Sequence, residues 1–307
     1  MMTQTRKRDW MPEGQIRKAI SGFYYVEDNR EIVRCKGRGV FRNRGIHPLV
    51  GDFVTYVPDG QNDAIITVVH ERKNELVRPP ISNVDQALLV FSIVEPAFSP
   101  HLLDRFLVVI ESFGIKPVIC LTKKDIASEA ELEKVIEFAQ YYEKIGYKVI
   151  NTFINDEKLP EILEPIMVGK TTVLAGQSGV GKSTILNTVL PSLGLKTGII
   201  STALGRGKHT TRHVELLEVG GGLVADTPGF SSLEFDHIDK EELSSCFIEM
   251  DALSSDCKFR GCLHLKEPKC AIKDKVETGE IIKSRYTNYL HFLQEITDRK
   301  PRYEKHD

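Results

Sequence analysis

The segment from Gly176 to Ser183, which reads GQSGVGKS, constrains the fold more than any other part of this sequence. It has the form G-x-x-x-x-G-K-[ST], in which the glycines let backbone N–H groups turn inward around phosphate oxygens. The segment TTVLA before it has the apolar pattern of a buried strand, and STILNTVL, which starts at Ser183, has helical spacing. A strand, a phosphate loop and a helix N-terminus in this order predict a nucleotide-binding α/β unit.

Each residue type in this loop suits a particular task. The ammonium group of Lys182 would reach the β- and γ-phosphates, and the hydroxyl of Ser183 would be a ligand of Mg²⁺. A glycine turn that holds no ligand is the alternative, and the flanking strand and helix patterns favour the nucleotide site. The predicted nucleotide contacts are Gly176, Gln177, Ser178, Gly179, Val180, Gly181, Lys182, Ser183 and Thr184.

A second motif, Asp226-Thr-Pro-Gly229, follows the apolar segment GGLVA and has the form D-x-x-G. The carboxylate of Asp226 would hold Mg²⁺ through water, and the N–H of Gly229 would contact the γ-phosphate. This short motif also occurs in ordinary turns. Its position after a strand pattern and downstream of the phosphate loop favours the nucleotide role.

A third motif, Thr122-Lys-Lys-Asp125, comes directly after the strand pattern PVICL. The carboxylate of Asp125 would accept two hydrogen bonds from N1–H and the 2-amino group of guanine. Adenine lacks this donor pair, so it would leave the carboxylate unpaired. The stem of Lys123 would lie over the base, and Lys124 completes the loop. The alternative for this motif is a solvated, charged helix start. The three motifs together predict a GTP site.

Two positions in this set depart from common GTPases. Thr122 stands where most GTPases have Asn, so we expect an altered brace between the guanine loop and the phosphate loop. The segment Asn151-Thr-Phe153, which follows the strand pattern YKVI, is the candidate support for the guanine O6 atom, and it lacks the Ser-Ala or Ser-Ser pair that is common there.

The hydrolytic residue is a further hypothesis. Phe230 stands where many GTPases have the Gln that orients the attacking water, so intrinsic hydrolysis is expected to be slow. We assign the positioning of water to His209 in the segment GRGKHTTR, with a solvent-facing or RNA-facing histidine as the alternative. Thr210 or Thr211 would supply a further ligand of Mg²⁺, and the sequence leaves the choice between them open.

The regions on either side of the nucleotide-binding motifs have different sequence patterns. Five short strand patterns with glycine-bearing turns between residues 11 and 72 predict a small β-barrel, for which an oligonucleotide-binding (OB) fold is one solution. The segment Arg78-Pro-Pro80 predicts a linker, and strands then alternate with helices as in a mostly parallel sheet. The predicted divisions are a leader (1–10), a barrel domain (11–72), a nucleotide domain (73–232) and a helical domain (233–307).

The helical domain carries a cluster of cysteine and histidine residues within CKFRGCLHLKEPKC. Three thiolates and one imidazole fill a tetrahedral Zn²⁺ site and leave no open position, as structural zinc sites do. Scattered reduced cysteines are the alternative. The basic residues between the ligands suit an RNA-contacting surface, or else a solvated face. The predicted zinc ligands are Cys257, Cys262, His264 and Cys270.

Composition and sequence pattern argue against a membrane or secreted protein. The 307 residues carry a formal net charge of −2, so bulk charge indicates no particular partner. The sequence contains no apolar run of about 18 residues and no secretory signal pattern, so we expect a cytoplasmic protein without a membrane partner, and a monomer.

The order of the motifs is unusual, because the guanine loop precedes the phosphate loop by about fifty residues. With GQSGVGKST, GRGKHTTRH, DTPGF and the cysteine segment, residues 11–307 resemble the circularly permuted ribosome-assembly GTPases of the RsgA (YjeQ/YloQ) family. The resemblance implies a circularly permuted α/β P-loop GTPase domain flanked by an N-terminal OB-fold β-barrel and a C-terminal helical zinc-binding domain. It also implies one structural Zn²⁺, Mg²⁺ with GTP, and the small ribosomal subunit and its rRNA as partners.

The expected function is therefore GTP hydrolysis to GDP and phosphate in late maturation of the small ribosomal subunit, stimulated by that subunit. One alternative is a zinc-dependent RNA-binding protein with a purely regulatory GTP site. A P-loop ATPase or small-molecule kinase is another, against which Asp125 argues. Because the chain passes from Phe230 almost directly into the zinc-bearing region, we expect the nucleotide state to act on that region.

Overall fold

The computed structural model describes residues 11–60, 63–153, 156–189, 214–226 and 233–299. They fall into two compact units. The first takes its described residues from the ranges 1–85, 164–173 and 198–228, and the second from the ranges 86–163, 174–197 and 229–307.

The first unit contains a closed five-stranded barrel. Strand β1 pairs with β2 and β4, β2 pairs with β3, and β5 pairs with β3 and β4, so the ladder returns to its start. The side chains of Ile16, Val26 and Ile66 fill its interior without solvent exposure. The predicted barrel is confirmed. Its strands are β1 (Glu13–Ile20), β2 (Phe23–Asp28), β3 (Glu31–Gly37), β4 (Phe53–Asp59) and β5 (Asp63–Val69), with a short helix α1 (Val40–Asn43) after β3.

A buried carboxylate, that of Asp52, fixes the segment after the barrel. It accepts hydrogen bonds from Arg72 Nε at 2.7 Å and from Ser82 Oγ at 2.6 Å. A linker was expected at residues 78–80. Instead, strands β6 (Glu75–Val77) and β7 (Pro80–Ser82) form a hairpin with its turn at residues 78–79, and Val77 pairs with Pro80. Proline lacks only an N–H donor, so it is compatible with this two-stranded edge position.

The first unit also contains strands from later in the chain. These are the first three residues of β11 (Thr171–Ala175), together with β12 (Glu215–Val219) and β13 (Gly222–Asp226). β12 and β13 form an antiparallel hairpin, and β13 runs parallel to β11. Barrel strand β1 pairs with β12 at Lys18 and Glu215, whose side chains form an ion pair of 2.8 Å.

The second unit has the predicted alternation of strands and helices. Strands β8 (Gln86–Ser92), β9 (Lys116–Thr122) and β10 (Lys148–Asn151) run parallel to one another in the order β8–β9–β10. The helices are α2 (Pro100–Ser112), α3 (Glu129–Ile145), α4 (Leu159–Met167), which continues into the first unit, and α5 (Lys182–Val189). Ser99 caps α2, which has proline at its first position, and Ser128 and Glu131 form a capping box at the start of α3.

The C-terminal part of the second unit is helical, as predicted. Two short 3₁₀ helices (Leu243–Cys246 and Ser254–Asp256) accompany α6 (Ile248–Asp251), α7 (Ala271–Glu277) and α8 (Lys283–Asp298). Phe247, Tyr289 and Phe292 form its aromatic core. No helix in the described ranges is both long and apolar enough to cross a bilayer.

A buried ion cluster joins α2 to these C-terminal helices. The guanidinium of Arg285, which has no solvent exposure, donates to Asp104 Oδ1 at 2.7 Å and to both carboxylate oxygens of Glu249 at 2.8 and 2.9 Å. Tyr142 and Asn288 donate to the same Asp104 carboxylate. Burial would lower the pKa of Arg285, but Asp104 and Glu249 raise it well above its ordinary value, so the guanidinium stays charged. Burial raises the pKa of Asp104, and Arg285 opposes that effect.

Replacing Arg285 by methionine would leave two buried carboxylates without a cation, which costs about 3–5 kcal/mol in comparable cases. We expect Arg285→Met to lower the free energy of unfolding by that amount in urea titrations followed by circular dichroism. The control is Lys275→Met, because Lys275 forms an exposed ion pair with Glu280 that is worth about 0–1 kcal/mol. Equal losses in the two variants would contradict the assigned role of Arg285.

Candidate nucleotide site and metal centre

The phosphate loop follows β11, and its three glycines have positive φ angles. The φ angles are +139° at Gly176, +81° at Gly179 and +100° at Gly181, a region that side chains other than glycine rarely enter. A Cβ atom on Gly176 would also lie 2.1 Å from the carbonyl oxygen of Val90. Backbone torsion therefore requires glycine at all three positions, and close packing requires it at the first.

The side chain of Lys182 folds over this loop. Its ammonium group donates to the carbonyl oxygens of Gly176 at 2.8 Å and Gln177 at 2.6 Å. Burial lowers the pKa of Lys182. Helix α5 begins at Lys182, so the lysine sits where the loop meets a helix N-terminus, and phosphate oxygens would be stronger acceptors for its ammonium group than these carbonyls.

A cavity of about 200 Å³ lies beside the loop, in the second unit. Its lining combines the phosphate loop with the start of the guanine loop and with the segment after β10. These three segments are far apart in the sequence and meet only in the folded chain. The lining residues of these segments are Thr122, Lys123, Thr152, Phe153, Gly179, Val180, Gly181 and Thr184.

Thr122 braces the guanine loop to the phosphate loop. Its hydroxyl donates to the carbonyl oxygen of Val180 at 2.6 Å, and a Cβ atom on Gly181 would lie 3.9 Å from the Thr122 side chain. The brace that we expected to be altered is thus present, with a hydroxyl donor in place of an amide. Both partners are buried, so the hydrogen bond is shielded from water.

The rest of the guanine loop lies at the surface. The ammonium group of Lys123 donates to the carbonyl oxygen of Glu95, and that of Lys124 lies 5.0 Å from the centre of the Phe153 ring. Asp125 is exposed in the turn that follows, and it is not among the residues that line the cavity.

The support segment after β10 is also held in place. The N–H of Thr152 donates to the Leu121 carbonyl at 2.8 Å, and its hydroxyl donates to Asp156 at 3.0 Å. No motif singled out Asp156, and only its position four residues after Thr152 could have indicated this contact.

Several predicted residues lie outside the part of the chain that the structure describes. The backbone of Asp226 ends strand β13, but its side chain is not described. Gly229, His209, Thr210 and Thr211 also lie outside the described residues.

The structure brings the four predicted metal ligands together. The ligand atoms of Cys257, Cys262, His264 and Cys270 all lie within 4.8 Å of one another. His264 Nδ1 is 3.3 Å from Cys270 Sγ and 3.7 Å from Cys257 Sγ, and these two sulfurs are 4.0 Å apart. Tetrahedral zinc with bonds of about 2.3 Å to sulfur and about 2.0 Å to nitrogen requires separations of about 3.5–3.8 Å.

Neighbouring side chains hold the ligand loop in shape. The carboxylate of Glu267 accepts from the N–H groups of Leu263 and Leu265 at 2.9 and 2.7 Å. Tyr286 and Tyr289 on α8 donate to the carbonyl oxygens of His264 and Leu263 at 2.6 and 2.8 Å. These contacts fix the positions of the donor atoms from outside, so the cluster could hold a metal ion.

The remaining cysteines have a different environment. Cys35, Cys120 and Cys246 are buried away from the cluster. Burial raises the pKa of each thiol to about 12. They are neutral packing residues.

Comparison with known proteins places these features in a family. A family model described as RsgA GTPase matches residues 69–236, and one described as RsgA N-terminal domain matches residues 13–66. The chain is 57% identical over 293 residues to a Bacillus cereus protein named small ribosomal subunit biogenesis GTPase RsgA. The Bacillus subtilis protein of that name is 56% identical over 298 residues. Both alignments cover 95% of this chain and 100% of the relative.

Two solved structures have the same fold. The crystal structure of YloQ, described as a circularly permuted GTPase, matches with a TM-score of 0.83 and 49% identity, and covers 98% of this chain and 100% of that one. The crystal structure of YjeQ from Thermotoga maritima matches with a TM-score of 0.82 and 36% identity, and covers 94% of this chain and 99% of that one. The fold class predicted from the sequence is confirmed, and this chain belongs to the RsgA family of circularly permuted GTPases.

Proposed function

We propose that this chain hydrolyses GTP to GDP and phosphate during late maturation of the small ribosomal subunit, and that the subunit and its rRNA stimulate hydrolysis. The observation that carries the proposal is the cavity at which the phosphate loop, Thr122 and Lys123, and the segment after β10 meet. The relatives named as small ribosomal subunit biogenesis GTPases support the cellular role.

The residue roles are proposed from the sequence motifs. The N–H groups of the phosphate loop and Lys182 bind the phosphates, and Ser183 is a ligand of the Mg²⁺ that accompanies GTP. Thr210 or Thr211 is a second ligand, and Asp226 holds the same ion through water. When bound, Mg²⁺ would supply positive charge beside the phosphate oxygens. Asp125 reads the guanine, and Gly229 contacts the γ-phosphate.

Water activation is assigned to His209. Position 230 is phenylalanine, whose ring cannot orient water by hydrogen bonding, so another group must do so. An imidazole has the required donor and acceptor atoms. This assignment explains why hydrolysis would depend on the subunit, because the partner would bring His209 into position.

We assign RNA binding to the other two domains. We assign residues 11–72 to an OB-type RNA-binding barrel, 73–232 to the GTPase domain and 233–307 to a domain that one structural Zn²⁺ stabilises, with residues 1–10 as a leader. On the barrel, Arg34 and Lys36 lie over the ring of Phe23, and both pair with Asp63. Lys258 and its neighbours give the metal loop the same sign of charge. We place the protein in the cytoplasm as a monomer.

The central test compares GTP hydrolysis with and without purified small ribosomal subunits. We expect slow intrinsic turnover that the subunits increase. His209→Ala should lower the stimulated rate about 100-fold or more, the usual contribution of a positioned acid–base group, while GDP affinity is retained. Subunits that do not accelerate hydrolysis would contradict the proposal and favour a purely regulatory GTP site.

Base specificity tests the guanine loop. Asp125→Asn replaces a double acceptor by an amide that can donate to the 2-oxo group of xanthine. We expect the affinity for GDP to fall by about 10- to 100-fold, the cost of losing hydrogen bonds to a charged group, and the affinity for xanthosine diphosphate to rise. Competition binding with a fluorescent nucleotide measures both. An unchanged preference for guanine would show that another group reads the base.

Metal content tests the Cys/His cluster. We expect about one zinc per chain by elemental analysis of the purified protein, and its loss in Cys262→Ala. Cys246→Ala is the matched control, because Cys246 is a buried thiol outside the cluster, and this variant should retain the metal. Zinc-free wild-type protein, or loss of zinc in both variants, would contradict the assignment.

A further inference from the structure

Phe153 places an aromatic ring at the cavity beside the phosphate loop, in a segment where small residues are common. It follows strand β10 and lines the cavity together with Thr122 and Lys123 of the guanine loop and Gly181 of the phosphate loop. A Ser-Ala or Ser-Ser pair in this segment would offer a hydroxyl or methyl group in place of a ring. The roles assigned so far do not use this ring.

The backbone on both sides of the ring is held in place. Strand β10 pairs with β9 as far as Asn151 and Leu121, and the N–H of Thr152 donates to the Leu121 carbonyl at 2.8 Å. The carbonyl oxygen of Phe153 accepts a hydrogen bond from the N–H of Asp156 at 3.3 Å. Because β9 leads directly into the guanine loop, the ring is attached at a fixed position relative to that loop.

The ring has surface that a ligand can cover. Three other apolar side chains in the cavity lining, those of Leu159, Val180 and Ile185, are buried, whereas Phe153 is only half-buried. The ammonium group of Lys124 lies over the ring at 5.0 Å from its centre, a cation–π contact that holds the ring from one face. Removal of the remaining apolar surface from water favours a flat apolar group against it.

A guanine nucleotide would bring such a group to this cavity. Its phosphates would lie on the phosphate loop and its base beside Thr122 and Lys123, and both segments line the cavity. Every base has a flat π face that can stack on an aromatic ring. The carboxylate of Asp125 would distinguish guanine by its hydrogen-bond donors, whereas a ring at position 153 would contact all purines in the same way.

We propose that Phe153 is a base-stacking residue, which supplies affinity for the purine ring without choosing among purines. Asp125 then selects guanine, so affinity and selectivity come from different side chains. The inference rests on the proposed GTPase function, because it concerns the base of the same nucleotide. Phe153 acts equally on the diphosphate and the triphosphate, since both carry the same base.

The test measures the affinities of the full chain for GDP and for inosine diphosphate by isothermal titration calorimetry. Inosine lacks the 2-amino group of guanine but keeps the purine face. Phe153→Leu keeps an apolar side chain and removes the flat ring. We expect it to lower both affinities by the same factor, about fivefold or more, the lower end of the range for base–aromatic stacking. Phe153→Tyr retains the ring and should bind both nucleotides within about twofold of the wild type.

Two further variants serve as controls. Phe53→Leu removes an aromatic residue of barrel strand β4 that is 52% exposed, and it should leave both affinities unchanged. Asp125→Asn should lower the affinity for GDP more than that for inosine diphosphate, because it removes the acceptor of the 2-amino group. The two sites thus differ in how their loss depends on the base.

Wild-type affinities in Phe153→Leu would overturn the inference. Equal losses in Phe153→Leu and Phe153→Tyr would also overturn it, since they would show a packing role, and so would a loss for GDP alone, since stacking does not depend on the 2-amino group. If the wild type binds GDP and Phe153→Leu binds it equally well, only this inference fails. If the wild type binds no GDP, the proposed function fails.

Discussion

The second unit depends on one buried guanidinium, that of Arg285. It neutralises the carboxylates of Asp104 and Glu249, which lie on elements far apart along the chain, and it lies 4.5 Å from the centre of the Phe247 ring. Because a buried charge is costly without a partner, the three groups are stable only when α2, α6 and α8 are packed together. The nucleotide-binding sheet and the metal-bearing C-terminal helices therefore form one structural body.

The same helices share further contacts. Helix α2 bears Asp104, which holds α8 through the buried cluster, and its neighbour Arg105, which holds both α8 and the chain after the D-x-x-G motif. The first contact is buried, whereas the second is partly exposed. Tyr286 and Tyr289 on α8 donate hydrogen bonds to backbone carbonyls of the metal-ligand loop.

Sequence patterns predicted the elements and the chemical groups. The five barrel strands, the alternating strands and helices, the phosphate loop and the Cys/His set were all readable, because each depends on residues close together in the chain. The hairpin at residues 75–82 was mistaken for a linker, since two prolines were read as ending regular structure. The sequence predicts the altered brace at Thr122 but not its acceptor, the Val180 carbonyl, because a hydroxyl in place of an amide gives no sign of its acceptor.

By itself, the sequence determined the loop order, the glycine positions at 176, 179 and 181, and the four metal donors, because local backbone torsion and side-chain chemistry require those residue types. Only the tertiary structure decided which distant groups meet. Thr122 lies 58 residues from Val180, and Arg285 lies 181 residues from Asp104. Such pairs form when sheet order and helix packing bring them together, and burial then makes each one costly to break.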